Sequence, residues 1–298
     1  MVYDKADHLI FTQDGEQRKR GEWTFSIPDV FNRVVITGIC TSISPEDYNA
    51  IIVNATSVTN SEGFMNTGYQ LNNIFLSSAR LLSVNYYDNY NYLKLAALQA
   101  VKDQLLYTGQ VGYAEQYLNP DYPDISAKGM LTGTQVYELS NPDKYKIQTF
   151  YYDDRARVAQ IRSTNFWGGS DFVYNQYDFT GHLLKTLKTH STSFVTYPVN
   201  ELYKHTYDYA GRLLTTHYQL KDNPEILMAE NSYDELGHLI NKYRHNQTDT
   251  ISYEYNIRNW KTRIKDGGFE QKIYYNTNIP YRGTPLYNGN ISNFMDIQ

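Results

Sequence analysis

Cysteine is almost missing from this chain: Cys40 is the only one in 298 residues, which excludes an intrachain disulfide framework. Long apolar runs are missing too, and none reaches the roughly 20 residues of a membrane-spanning helix. No stretch before Tyr3 reads as a signal peptide. Charge of one sign is gathered nowhere. The formal net charge of −5 is spread without blocks, so there is no basic footprint for nucleic acid. Helix-forming runs are scarce. There is no Gly-rich phosphate loop, no G-x-S-x-G and no H-E-x-x-H. These absences lead to an expectation of a non-enzymatic protein with no catalytic residues, no cofactor and no metal.

What the sequence has in abundance is tyrosine, with 30 Tyr against 12 Phe and 3 Trp. Tyrosine favours strands and joins a wide apolar ring to a polar tip, so it suits sheet faces that are half wet. Three of these tyrosines open the same phrase. Tyr177-Asp178-Phe179-Thr180-Gly181-His182-Leu183, Tyr207-Asp208-Tyr209-Ala210-Gly211-Arg212-Leu213 and Tyr233-Asp234-Glu235-Leu236-Gly237-His238-Leu239 read as strand, tight turn, strand. Looser copies begin at Tyr3, Tyr152 and Tyr255. From Tyr152 onward the spacings are 25, 30, 26 and 22 residues, one supersecondary unit each.

The phrase has a mechanical reading. Asp in first place and Gly in fourth suit a type I turn followed by a left-handed residue. The carboxylate accepts from a backbone N–H two residues on, and Gly takes positive φ without a Cβ clash. The return strand then leaves with a bulge. Asp7 and Asn259 tolerate the Gly position, and Ala156 fits it worst. Positive φ is expected at Gly181, Gly211 and Gly237.

Along the chain, residues 1–40 hold the first hairpin and following strands through Trp23-Thr24-Phe25 and Arg33–Ile36. Asp14-Gly15 is a hairpin signal, and Gln17–Arg20 reads as a solvated turn. Residues 41–130 depart from the repeat. Strands are expected at Ile51–Val53, Tyr69–Leu71 and Leu81–Tyr87. One helix is expected from Tyr92 to Tyr107, with Leu93, Ala97, Val101 and Leu105 on one face. This insert is placed to cover or plug a sheet, and Asp88, Asn89 and Asn91 within it do not follow a calcium-loop pattern. Residues 131–298 form the regular array. Asn223-Pro224, Asn246–Asp249 and Asp266-Gly267-Gly268 close the far ends of its hairpins. The expected fold is mainly all-β: a curved antiparallel strip of hairpins with one insert carrying a short helix. Both ends read as cut from a longer array, the alternative being a natural short protein whose first strand pairs elsewhere.

The motif Tyr-Asp-x-x-Gly-(Arg/His)-Leu resembles that of the YD-repeat, or Rhs-repeat, family. The match is specific at Tyr177, Tyr207 and Tyr233, looser at Tyr3, Tyr152 and Tyr255, and does not cover 41–130. The resemblance implies hairpin strips that wind into hollow shells, which enclose a C-terminal toxin in bacterial members and serve adhesion in animal ones. It further implies a secreted or surface-exposed bacterial protein whose partners are the remaining repeats or a C-terminal domain of a longer polypeptide. The self-cleavage core motif of shell-forming members is not present. Six repeats at about 10 Å each, closed into one ring, span only about 19 Å, so this strip alone is expected not to enclose a folded domain.

His8, His182 and His238 occupy the slot that Arg157 and Arg212 fill, and a metal site would not exchange His with Arg. Asp178, Asp208 and Asp234 are explained by the turn without a general-acid role. Cys40 follows an apolar strand and reads as a buried thiol. Trp23, Trp167 and Trp260 are the anchors of an alternative function, a carbohydrate-binding module stacking exposed rings on a glycan.

Overall fold

The computed structural model describes all residues except 42–47, 59–60, 117–126, 195–196, 278–283 and 298. The chain divides into two compact units, one of residues 1–176 with 188–199 and the other of 177–187 with 200–298. Their named strands pair antiparallel, and the all-β expectation holds.

In the first unit the strands Val2–Tyr3, Leu9–Thr12, Glu22–Pro28, Val34–Thr41, Ser77–Asp88, Ala127–Tyr137, Tyr145–Tyr152, Val158–Thr164 and Ser170–Tyr177 follow one another as antiparallel neighbours. Ser77–Asp88 from the 41–130 stretch, and the first residues of Ala127–Tyr137, thus belong to this ladder. Asn54–Ser57 and Tyr69–Asn72 form a separate ribbon. One face buries Ile10, Phe11, Phe25, Ile27, Ile36, Val84 and Ile147. Alternation along Tyr145–Tyr152 sends Ile147, Thr149 and Tyr151 inward, as a strand period of two requires.

Residues 91–105 lie over this face, fastened by tyrosine. Tyr92 donates to the Thr132 carbonyl at 2.9 Å and Tyr151 to the Leu105 carbonyl at 2.7 Å. Tyr145 and Tyr90 reach the carbonyls of Ala97 and Phe150. Tyr86 stacks on Tyr92 with centroids 4.1 Å apart. Burial pushes both hydroxyls well above the ordinary tyrosine range. Gly133 lies directly beneath the Tyr92 ring, where a Cβ would meet the hydroxyl at 2.4 Å.

Three local expectations fail here for physical reasons. The helix expected over 92–107 is broken into 3-10 turns at Asn91–Lys94 and Ala96–Val101 and an α turn at Lys102–Leu105, with Leu95 extended at ψ 137. Tyr92, Leu93, Leu95 and Leu98 are all buried, and one regular helix cannot point four such positions at one sheet. Asp14-Gly15 opens a helix, Gly15–Arg20, rather than a hairpin: Asp14 and Gln17 complete a capping box, and Gln17 is buried against Thr24. Ile51–Val53 forms no strand. Its backbone bonds the first corner instead, with Ile51 O accepting from Lys5 N and Val53 N donating to Asp4.

In the second unit Val199–Tyr207, Leu213–Leu220, Ile226–Tyr233, Leu239–Arg244, Asp249–Tyr255, Lys261–Asp266, Phe269–Tyr274 and Asn293–Ile297 pair in chain order. Their residues are half-buried or exposed, and Thr186 and Tyr275 are the buried ones among the described residues of this unit. A hydrophobic core therefore does not account for its order.

Candidate functional site

What orders the second unit is the row of corners. At Asp208 the backbone N–H donates to Arg212 O at 3.0 Å, and Gly211 N returns a bond to Asp208 O at 3.0 Å. The Asp208 carboxylate accepts from Ala210 N and Arg212 N through Oδ1, and from Arg212 Nε through Oδ2 at 2.6 Å. The amide of Arg212, then its guanidinium, holds this carboxyl below the usual carboxylate range. Gly211 has φ 77, Gly181 φ 104 and Gly237 φ 90.

The outgoing strand leaves through a bulge. Thr206 faces Thr215 but Tyr207 faces Leu213, so Leu214 is the extra residue. The same skip passes over Ile240, Thr262, Ala159, Ile10 and Val35 at other corners. Ile10 and Ala159 are fully buried, so in the first unit the bulge residue is a core residue.

The Asp178 and Asp234 corners repeat these bonds with histidine. Asp178 Oδ2 pairs with His182 Nδ1 at 2.9 Å and Asp234 Oδ2 with His238 Nδ1 at 2.8 Å. The Thr180 hydroxyl, aided by His182, lowers the Asp178 carboxyl well below its ordinary value. Burial works against ionisation at Asp234, and His238 outweighs it. In the first unit Asp4 and Asp153 build the same corner with His8 and Arg157. There burial of Asp4 is outweighed by the amides of Val53, His8 and Ala6.

Two corners escape a reading that looks for tyrosine. Pro28-Asp29-Val30-Phe31-Asn32-Arg33-Val34 has the complete set of bonds, with Asn32 at φ 63 and Arg33 Nε on Asp29 at 2.8 Å. Asn165–Gly169 has them through an amide, with Gly168 at φ 71. The available signal was Asp or Asn in first place and Asn or Gly in fourth. Where the first residue is Asn, the basic partner is missing as well: Asn256 accepts from Arg258 N and Trp260 N, and the slot is Trp260. An amide has no charge to pair, so a flat apolar ring serves.

The reason for a flat side chain lies in the next repeat. His182 stacks on Tyr207 at 4.7 Å, Arg212 lies over Tyr233 at 4.8 Å, His238 stacks on Tyr255 at 4.8 Å and Trp260 packs on Tyr275 at 5.0 Å. Each of these tyrosines donates back to a carbonyl one repeat earlier: Tyr207 to Leu183, Tyr233 to Leu213, Tyr255 to Leu239 and Tyr275 to Lys261, at 2.8–3.1 Å. The glycine completes the contact. A Cβ on Gly211 would stand 2.6 Å from His182 Nε2, and one on Gly237 would stand 3.2 Å from Arg212. The tyrosine, the glycine, the slot residue and the carbonyl after it thus each have an inter-repeat task, and the corners form a ladder.

The three tryptophans have separate surroundings. Trp23 packs against the first unit's core, Trp260 fills the ladder slot with Arg258 over it, and Trp167 is 66% exposed at the tip of the Asn165 corner. Two of the three rings are therefore engaged in packing. Among the described residues no three His, Cys, Asp or Glu side chains are grouped to hold a metal, and no helix is long and apolar enough to cross a membrane.

No family model matches the chain, and no curated protein matches it. Solved structures align with it at low identity. TcdB2-TccC3-Cdc42 shares 11% identity with a TM-score of 0.48, over 91% of this chain and 11% of that one. A Photorhabdus luminescens Tc holotoxin pore with mutated TccC3 shares 12% with a TM-score of 0.46, over 92% and 13%. TcdB2-TccC3 without its hypervariable C-terminal region shares 12% with a TM-score of 0.41, over 85% and 12%. The chain spans between 11% and 13% of the length of these chains.

Proposed function

We propose that this chain is a non-enzymatic structural segment of a YD-repeat (Rhs-repeat) shell or surface protein, belonging to a larger secreted polypeptide. The observation that carries this reading is that the motif's polar groups are committed to one another. The Asp178, Asp208 and Asp234 carboxylates are held by turn amides and the slot side chain, and the Tyr207, Tyr233 and Tyr255 hydroxyls by the preceding repeat. Groups so engaged give lateral cohesion to a sheet, which is what a shell wall needs, and leave no poised acid or base. Its partners are further repeats and a C-terminal domain of the same polypeptide.

Two measurements test this. Prolonged incubation of pure protein at neutral pH is expected to leave a single intact mass; a discrete shorter product that persists with protease inhibitors would reveal a catalytic site. The coding sequence on either side of the chain is expected to continue in Tyr-Asp hairpins. Flanks with unrelated domains, or selective binding on a glycan array, would overturn the reading in favour of a free-standing binding module.

A further inference from the structure

The ladder fixes the first, fourth and fifth residues of each corner and leaves the two between them free of any turn requirement. The first unit shows this, since its Asp4 and Asp153 corners carry Lys5-Ala6 and Asp154-Arg155 there while its Asp29 and Asn165 corners carry Val30-Phe31 and Phe166-Trp167. In the second unit the same places hold large apolar side chains. Tyr209 is 99% exposed, Leu236 80% and Ile257 101%, with Phe179 at the head of the row at 81%. The opposite hairpin ends of this unit are polar and exposed, at Lys221–Glu225, His245–Thr248 and Gly267-Gly268. The connection before Val199 also exposes Phe194 and Tyr197. Surface turns are ordinarily polar, so an apolar residue at four successive corner tips, set against polar turns at three of the opposite ends, marks an interaction surface.

We propose that this apolar corner row is a self-association surface, and that it pairs with the same row of a second copy of this chain. Spacing favours that occupant. The tips recur once per two strands, about every 10 Å, and an identical row recurs at the same interval, so all four engage together. A helix laid along the row repeats every seven residues at about 10.5 Å and drifts out of step corner by corner. An extended peptide covers the interval in about three residues and turns alternate faces to successive tips. Area agrees as well. Four such side chains at about 150 Å² each expose on the order of 600 Å². Two rows together then bury on the order of 1,200 Å², the lower end of stable interfaces. An anionic lipid surface is disfavoured by the net charge of −5 and by Glu235 beside Leu236.

The test is sedimentation equilibrium of the full chain from about 1 to 100 µM. The mass is expected to rise from 34.7 kDa towards twice that value. A variant with Phe179→Ser, Tyr209→Ser, Leu236→Ser and Ile257→Asn, all polar turn formers at exposed sites, is expected to dissociate at least tenfold more readily with an unchanged circular dichroism spectrum and melting temperature. A second variant, Tyr209→Phe with Leu236→Met, controls for folding and is expected to associate like the parent. A parent chain that stays at 34.7 kDa throughout overturns the proposal, as does undiminished association of the folded four-site variant. Flotation of a monomeric parent with neutral phosphatidylcholine vesicles, lost in the four-site variant, would assign the row to a membrane and equally overturn it.

Discussion

Replacing Gly211 with alanine perturbs two things at once, and the structure separates them. The backbone there has φ 77, which costs an alanine about 1 kcal/mol. The added Cβ would also stand 2.6 Å from His182 Nε2, so the imidazole has to leave its stack on Tyr207. Loss of that stack adds about 0.5–1.5 kcal/mol, for a total of about 2. Gly267 is the natural control. It has φ 57 and nothing within 4 Å of its would-be Cβ, so Gly267→Ala is expected to cost only the backbone term of about 1 kcal/mol. Urea unfolding followed by far-ultraviolet circular dichroism measures both. In a His182→Ala background the two glycine variants should cost the same, because the obstructing ring is gone. Equal losses in the parent background would refute the claim that the glycine makes room for the preceding repeat.

Tyr207→Phe keeps the ring stack but leaves the Leu183 carbonyl without its donor, and is expected to cost about 1 kcal/mol in the same unfolding assay. Gly133→Ala forces a Cβ against the Tyr92 hydroxyl and should destabilise the first unit by about 1–3 kcal/mol, read as a fall in urea midpoint. The carboxyls of Asp4, Asp178, Asp208 and Asp234 are depressed in the folded state, so their contribution is present above the unfolded value of about 3.9 and is lost as pH falls from there towards the folded values. Urea midpoints taken from pH 7 to pH 2.5 should drop mainly below about pH 4, and less steeply in Asp208→Asn. The raised Tyr86 and Tyr92 hydroxyls predict the opposite limb: these rings stay neutral through ordinary tyrosine titration, and stability falls above about pH 10, as absorbance at alkaline pH would show.

The all-β array was legible in the sequence because one phrase encodes its own geometry. Asp178, Asp208 and Asp234 name the turn acceptor, Gly181, Gly211 and Gly237 the left-handed residue, and the spacing between them the hairpin. The exchange of His182 and His238 with Arg212 already pointed to one slot that takes a basic side chain, which the Asp178, Asp234 and Asp208 carboxylates hold. What stayed hidden was the reason for the tyrosine, because the bonds from Tyr207 to Leu183 and from Tyr233 to Leu213 join different repeats. The Asp29 and Asn165 corners lie outside the phrase because they lack its tyrosine, although the turn bonds are kept. The helix expected over 92–107 is broken because the conformation there is set by hydroxyl-to-carbonyl distances across to the sheet, at Tyr145 and Tyr151, which no local periodicity reports.

The account's central claim is that the Tyr-Asp corners hold one another and are not independent hairpins. Hydrogen exchange read by mass spectrometry on Asp208→Ala tests it most directly. That substitution removes the acceptor of Ala210 N and Arg212 N and releases the Arg212 side chain from Oδ2. A coupled ladder predicts faster exchange at these amides and also one repeat away on either side, at His182 and at His238, whose own turn bonds are untouched. Faster exchange confined to the Asp208 corner, with His182 and His238 protected as in the parent, would contradict the claim.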